Sequence, residues 1–151
     1  MNVPEKMSGV VLSGHGGLDK LEWREDLDVP QPHQGEVLIR VHASSVNNTD
    51  INTRTAWYSK SVRGGTSSGG KQGNTEADAA DGGWSGVPIS FPRIQGADCC
   101  GEIVAVGPGV SENRIGERVL VRTLQSTGAS GGPFATWTFG SECDGGFAQF
   151  A

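Results

Sequence analysis

The apolar residues of this chain come in short runs separated by glycine and proline, the spacing of strands and turns rather than of long helices. The clearest run is Glu36 to Ala43, where Val37, Ile39, Val41 and Ala43 alternate with Glu36, Leu38, Arg40 and His42. A period of two predicts a strand with the first set on a buried face and the second on a mostly polar one. Ile103 to Val106 and Val119 to Val121 are β-branched runs too short for helices, and they predict two buried strands. Gly107-Pro-Gly109 lies between them and can reverse the chain, since glycine accepts positive φ and proline fixes its own. Upstream, Ser8 to Ser13 predicts a first strand, Gly14 to Gly17 its turn, and Leu18 to Trp23 a paired second strand of imperfect alternation. Pro30-Gln-Pro32 keeps the next connection extended. Residues 123–140 are loop-like, with Phe134, Trp137 and Phe139 alternating as one more short strand.

After Val46 the pattern changes. Asn47 or Asn48 can cap a helix of one or two turns, because an asparagine side-chain oxygen accepts an orphan backbone N–H. Asp50, Arg54 and Tyr58 follow at i, i+4 and i+8, which would bring them near one face if the helix ran that far. Residues 61–86 differ again, with Val62, Ala77, Ala79, Ala80 and Trp84 as their only apolar groups. Such a segment buries too little surface to offset the ordering of its backbone, so it predicts a flexible glycine-rich insert, mobile in whole or in part. It interrupts one domain spanning residues 1–151 rather than separating two. Within it, Gly65-Thr-Ser-Ser-Gly-Gly-Lys-Gln72 matches G-x-x-x-x-G-K, but Gln72 stands where a phosphate loop needs Ser or Thr for magnesium. No apolar strand precedes it and no helix follows to aim N–H groups at phosphate, so a flexible loop is expected there.

Composition narrows the classes. The 151 residues suffice for one domain with a core, and 24 glycines and 7 prolines suit a mainly β (α+β) fold. A formal charge of −5 argues against nucleic acid and against an anionic membrane surface as partners. Three cysteines, Cys99, Cys100 and Cys143, form no disulfide framework, which points to a reducing compartment. The N-terminal residues lack the apolar core of a signal peptide and no run reaches membrane-spanning length, so a cytoplasmic location is the expectation.

Four segments together carry a family resemblance. Gly96-Ala-Asp-Cys-Cys-Gly-Glu-Ile-Val-Ala-Val-Gly107 followed by Gly116-Glu-Arg-Val119 resembles the catalytic, GroES-like domain of the medium-chain dehydrogenase/reductases. Gly35-Glu-Val-Leu-Ile-Arg-Val41, Asn47-Asn-Thr-Asp50 and Gly145-Gly-Phe-Ala-Gln-Phe-Ala151 support it in the right order. The quinone oxidoreductase-like and alcohol dehydrogenase-like members are the most similar. The resemblance implies a partly open β-barrel with short helices, and a nucleotide-binding Rossmann domain that follows it in longer proteins. A G-x-G-x-x-G fingerprint for NAD or NADP is not found in these residues, so cofactor would be gripped mainly by that following domain.

The resemblance also places site residues. Zinc-dependent relatives carry a cysteine just before the S/T-D pair and a histidine in a G-H-E triplet. Asn47 and Ala97 stand at those positions, and Cys143 is the only cysteine beyond Val121, so no zinc is expected. Cys99 and Cys100 are adjacent and would point to opposite faces of a strand. Asn47, Thr49 and Tyr58 match the segment lining the substrate cleft, with Thr49 where alcohol dehydrogenases carry a relay hydroxyl. The implied chemistry is hydride transfer between a nicotinamide and a carbonyl, quinone or alcohol, with Thr49 and Tyr58 as donors to the oxygen and Asn47 as a cleft amide. Asp50 and Arg54 are expected to pair and hold the segment in place. His15, His33 and His42 are read as solvated surface residues. The alternative function is a non-enzymatic, co-chaperonin-like binding module in which the insert serves as a mobile loop, with Val62 or Trp84 as its anchor. Substrate, NAD against NADP, and assembly into a homo-oligomer stay open.

Overall fold

A computed structural model describes residues 3–126 and 136–151. The first strand, β1 (Lys6–Leu12), pairs antiparallel with β2 (Leu21–Asp28) and with the two-residue β4 (Arg93–Ile94), giving the order β2-β1-β4. The second sheet runs β3 (Val37–Ala43), β5 (Cys100–Val106), β6 (Arg118–Leu120). β7 (Leu124–Ser126) and β8 (Thr136–Thr138) pair antiparallel as a third, two-stranded sheet, and α1 (Asn48–Arg54) is the single α-helix among the described residues. Of the three alternating aromatics, Trp137 lies in β8 and Phe139 just after it, while Phe134 lies outside the described residues.

The C-terminal residues stitch the sheets together. Val10 N–H donates to Phe147 O (2.8 Å) and Gln149 N–H to Ser8 O (3.0 Å) on the β1 side. On the β3 side, Val41 N–H donates to Gln149 O (2.9 Å), and Ile39 and Ala151 exchange both backbone bonds (2.8 and 3.0 Å). The two sheets thereby wrap a shared core of Met7, Val11, Val29, Leu38, Ile94, Val104 and Phe150. This is the mainly β, partly open barrel that the resemblance implied. Each aliphatic side chain withdrawn from water in such a core contributes about 1.5–3 kcal/mol.

Three strand expectations need correction. Alternation along β3 does not separate a buried from a polar face, because Leu38 and Ile39 are both buried and Ala43 is exposed. A bulge between Leu38 and Ile39 offsets β3 against β5, and Leu38 enters the core while the C-terminal residues bond across Ile39. Both faces of the strand are covered there, which a period-two reading cannot anticipate. The run Val119 to Val121 is not a buried strand: β6 is a sheet edge, Val119 is half-buried and Leu120 is 84% exposed. The second strand begins at Leu21 rather than Leu18, since Leu18–Lys20 form a 3-10 turn, and it continues to Asp28. The turn between β5 and β6 does follow the glycines. Gly35 N–H donates to Pro108 O (2.9 Å), Gly109 adopts φ +83°, and a side chain at Gly107 would strike the carbonyl of His33.

Residues 61–86 contain turns and one 3-10 turn, Ala79–Asp81, but neither strand nor α-helix. Polar bonds tie them to the end of α1. Asn74 donates twice to Thr55 O, from its backbone N–H and its amide (both 3.0 Å), and Arg54 Nη2 donates to Gly70 O (2.8 Å). Ser61 Oγ donates to Glu76 O (2.5 Å), and Ser59 Oγ accepts from Asp78 N–H (2.9 Å).

Candidate functional site

The site is built outward from the first turn of α1. Asn47 N–H donates to Asp50 Oδ2 (2.8 Å), the return half of a capping box. The other oxygen, Oδ1, accepts from Gly96 N–H (3.2 Å) and Ala97 N–H (3.0 Å), and Gln95 Nε2 donates to Asp50 O (2.9 Å). Asp50 therefore welds the start of the helix to the loop preceding β5. Gly96 makes this possible: its φ is +105°, and an added Cβ would lie 2.7 Å from the Phe147 ring. Burial pushes the Asp50 pKa up, opposed by these three backbone N–H groups.

Arg54 does not pair with Asp50, contrary to the i, i+4 expectation. Its Nη1 donates to Gly16 O (2.6 Å) and its Nη2 to Gly70 O. The two side chains leave opposite ends of a two-turn helix, and each bonds backbone groups of a neighbouring segment, buried ones for Asp50 and half-buried ones for Arg54. Burial lowers the Arg54 pKa from its ordinary range. Tyr58 does not extend the helical face either, because α1 ends at Arg54 and Ala56 adopts φ +55°. The chain turns back, and Tyr58 Oη donates to Thr49 Oγ1 at 3.1 Å, both residues half-buried. The fold thus brings the two hydroxyl candidates together by a route the helical spacing did not describe.

Asn47 is exposed, and its amide Nδ2 donates to Asp98 Oδ2. The same carboxylate oxygen accepts from Ser45 Oγ (2.7 Å), while Ser44 Oγ donates to Asp98 O (2.5 Å). Two contributors were missed at the level of sequence. Asp98 belongs to the Gly96–Gly107 motif that carries the resemblance, where its position says nothing of a role at the site, and it anchors Asn47. Trp84, set among glycines in the insert, meets the Tyr58 ring edge-to-face, centroids 5.3 Å apart at 80°, and Trp57 flanks Tyr58 at 5.8 Å.

His15 is not a solvated surface residue. It is half-buried, its Nδ1 lies 2.8 Å from Thr53 O, its ring packs edge-on to Phe91 at 4.9 Å, and burial lowers its pKa. The glycines around it gave no hint that the insert and Phe91 would close over the turn. His33 and His42 are exposed. All three cysteines are free; Cys99 is buried, and that burial pushes its thiol up to about 11, whereas Cys100 is half-buried.

The donor set at the zinc-equivalent positions does not fit zinc. Ala97 is buried and has no donor atom, Asn47 uses its amide N–H on Asp98, and one carboxylate is left. Among the described residues no group of three His, Cys, Asp or Glu side chains could hold a metal ion. A cavity of about 780 Å³ opens between the sheets, lined by core residues such as Met7, Leu38, Ile94 and Phe150 together with Trp137 and Phe139. Asn47, Thr49 and Tyr58 do not line it. They stand on an open face instead.

A mainly β fold closed by a C-terminal Gly-Gly-aromatic segment, with a short capped helix beside the β5 loop, defines a GroES-like domain. Residues 33–151 match the family described as the alcohol dehydrogenase GroES-like domain. The chain belongs to the medium-chain dehydrogenase/reductase family. It is 32% identical over 114 residues to the mitochondrial NAD(P)H oxidoreductase RTN4IP1 of Dictyostelium discoideum, covering 75% of this chain and 26% of that protein. It is 30% identical to the L-threonine 3-dehydrogenase of Pyrococcus horikoshii, over 97% of this chain and 36% of the relative. A provisionally assigned alcohol dehydrogenase of Sinorhizobium meliloti superposes with a TM-score of 0.75 at 38% identity, over 99% of this chain and 38% of the other. The chain thus spans about a quarter to somewhat over a third of the length of these relatives. Among the described residues no helix is long and apolar enough to cross a membrane.

Proposed function

We propose that residues 1–151 form the substrate side of an NAD(P)-dependent, zinc-independent oxidoreductase acting on a small carbonyl compound, a quinone or enone in the reducing direction or an alcohol in the reverse. The observation that carries this reading is the Tyr58 Oη to Thr49 Oγ1 hydrogen bond of 3.1 Å. A bound nicotinamide supplies hydride. As hydride reaches a carbonyl or its conjugated carbon, negative charge gathers on the carbonyl oxygen. Tyr58 spends its proton on Thr49 Oγ1, which leaves the Thr49 hydroxyl proton free to point at that oxygen. The tyrosine behind it polarises the threonine, since a hydroxyl that accepts a hydrogen bond donates a stronger one. Asp98 accepts from the Asn47 amide and fixes its orientation. The carbonyl oxygen takes one proton through the Thr49 hydroxyl, which solvent replaces, so each turnover consumes one hydride and one proton; where hydride enters at the conjugated carbon, the enol so formed returns to the ketone.

The relatives' printed activities, NAD(P)H oxidoreductase and dehydrogenase, support the reaction class. The missing ligand chemistry at Asn47 and Ala97 supports doing it without zinc. Nucleotide grip is assigned to residues outside 1–151, and three free cysteines suit a reducing compartment such as the cytoplasm. The test is steady-state reduction of an enone by full-length protein. Thr49→Val is expected to lower kcat about a hundredfold, the worth of one well-placed donor to a developing oxyanion, and Tyr58→Phe by less. Rates equal to wild type in the double variant would remove both residues from the mechanism.

A further inference from the structure

Trp84 is the largest apolar side chain of the insert, and it lies 54% exposed on the site face. Its position is built. Gly83 N–H donates to Val87 O (3.1 Å) and Gly86 N–H to Gly83 O (3.0 Å), closing a turn around it. A Cβ on Gly83 would lie 2.5 Å from Val87 O, and one on Gly82 would lie 2.6 Å from the His15 ring, so both glycines are needed for the close approach. From the other side, Ser85 Oγ donates to Glu142 Oε1 (2.9 Å), and Glu142 Oε2 is itself fixed by Thr138 N–H (2.6 Å). The turn is clamped on both flanks and delivers an indole against Tyr58.

We propose that Trp84 is a specificity-determining residue that selects flat, conjugated or aromatic carbonyl compounds over saturated ones. The two rings stand at 80° and form a corner. A planar ligand stacked on one ring meets the other edge-to-face, the two arrangements that aromatic quadrupoles favour, while a puckered aliphatic ring satisfies neither. Tyr58 is at once the inner wall of this corner and the group bonded to Thr49, so a ring held there carries its carbonyl towards the Thr49 hydroxyl. More than half of the indole is left uncovered, which gives a ligand apolar surface to bury. The proposal deepens the functional reading above and rests on it.

Two ketones of similar size that differ in planarity, acetophenone and cyclohexyl methyl ketone, provide the test. The chain is titrated with each, and affinity is read from backbone and indole N–H shifts in NMR, without turnover. Wild type is expected to prefer acetophenone. Trp84→Ala should weaken acetophenone binding on the order of fivefold and leave the cyclohexyl ketone unchanged, and Trp84→Phe should restore most of the loss. No binding of acetophenone, no effect of Trp84→Ala, or equal weakening for both ketones would overturn the assignment, the last by showing a merely structural role. Turnover of an enone by the full-length protein separates the two readings: if the Trp84 pattern holds in binding but Thr49→Val leaves kcat unchanged, it is the oxyanion-donor reading that fails. If Thr49→Val lowers kcat and Trp84→Ala changes neither affinity, the selectivity proposal fails alone.

Discussion

A carboxylate that is 4% exposed and takes three backbone N–H bonds, as Asp50 does, leaves two buried donors, Gly96 and Ala97, without that partner when it is removed, while water can reach the exposed Asn47. Each buried orphan costs about 1–3 kcal/mol, so Asp50→Ala should destabilise the fold by about 3 kcal/mol in denaturant unfolding. A loss under about 0.5 kcal/mol would contradict the welding role. Asp50→Asn keeps one acceptor oxygen and should fall between. Cys99 gives a pH-dependent signature. Its thiol sits at about 11 in the fold against an ordinary 9.0, chiefly because burial disfavours the thiolate, with the neighbouring Cys100 adding to it. The native state therefore holds its proton where the unfolded chain has released it. This contribution to stability is complete below about pH 9 and is lost as pH rises towards 11, by about 2–3 kcal/mol. Cys99→Ala should flatten that part of the stability profile, and an unchanged slope between pH 9 and 11 would refute the assignment. At this scale the resemblance singles out Thr49, Tyr58 and Asn47 as candidates by position, and the structure brings the Thr49 and Tyr58 hydroxyls together. The partners of Asp50 and Arg54 are not legible, because i, i+4 spacing says which side chains are neighbours but nothing about backbone groups arriving from residues 16, 70, 96 and 97.

At the level of elements, the insert shows what composition can and cannot tell. Its scarcity of apolar residues was plain, and so was the absence of regular strands. What composition does not count are hydrogen bonds such as those from Asn74 and Arg54 that moor it to α1. We expect the mobility of the segment to concentrate between these moorings and the end of α1, where Arg63 and Lys71 are exposed. Limited trypsin should cut first at one of those two residues and leave the halves associated. First cuts at Arg40, which is half-buried in β3, or at Arg118 would show that the insert is the more rigid part. The strands are legible where a turn of glycine and proline bounds them. Along β3 the alternation misleads: the extra residue of the bulge lies opposite, in β5 at Val104, and Leu38 is buried because core packs on its face of the strand too, which a period of two does not register. Leu120 differs for another reason: apolar composition does not reveal that β6 is the edge of its sheet and that Leu120 is 84% exposed there.

At the scale of the whole molecule, the chain covers roughly a quarter to over a third of its relatives, and the site stands on an open face. Hydride transfer needs nicotinamide and substrate held at contact distance, an orientation worth roughly 7–11 kcal/mol of barrier. On the proposed reading, Thr49 and Tyr58 serve the substrate and a nucleotide-binding fold, which the described residues do not contain, serves the cofactor, so residues 1–151 by themselves should bind ketones and not oxidise NAD(P)H. Robust turnover by these residues alone would overturn that division of labour. The central claim is that the reaction runs on the Thr49 and Tyr58 hydroxyls without metal. Its most direct measurement is NAD(P)H oxidation with an enone by the full-length protein, before and after exhaustive chelation, with metal content followed by mass spectrometry. The account predicts no stoichiometric metal at this site and an unchanged rate after chelation. Activity that disappears with the chelator and returns on adding zinc would contradict it.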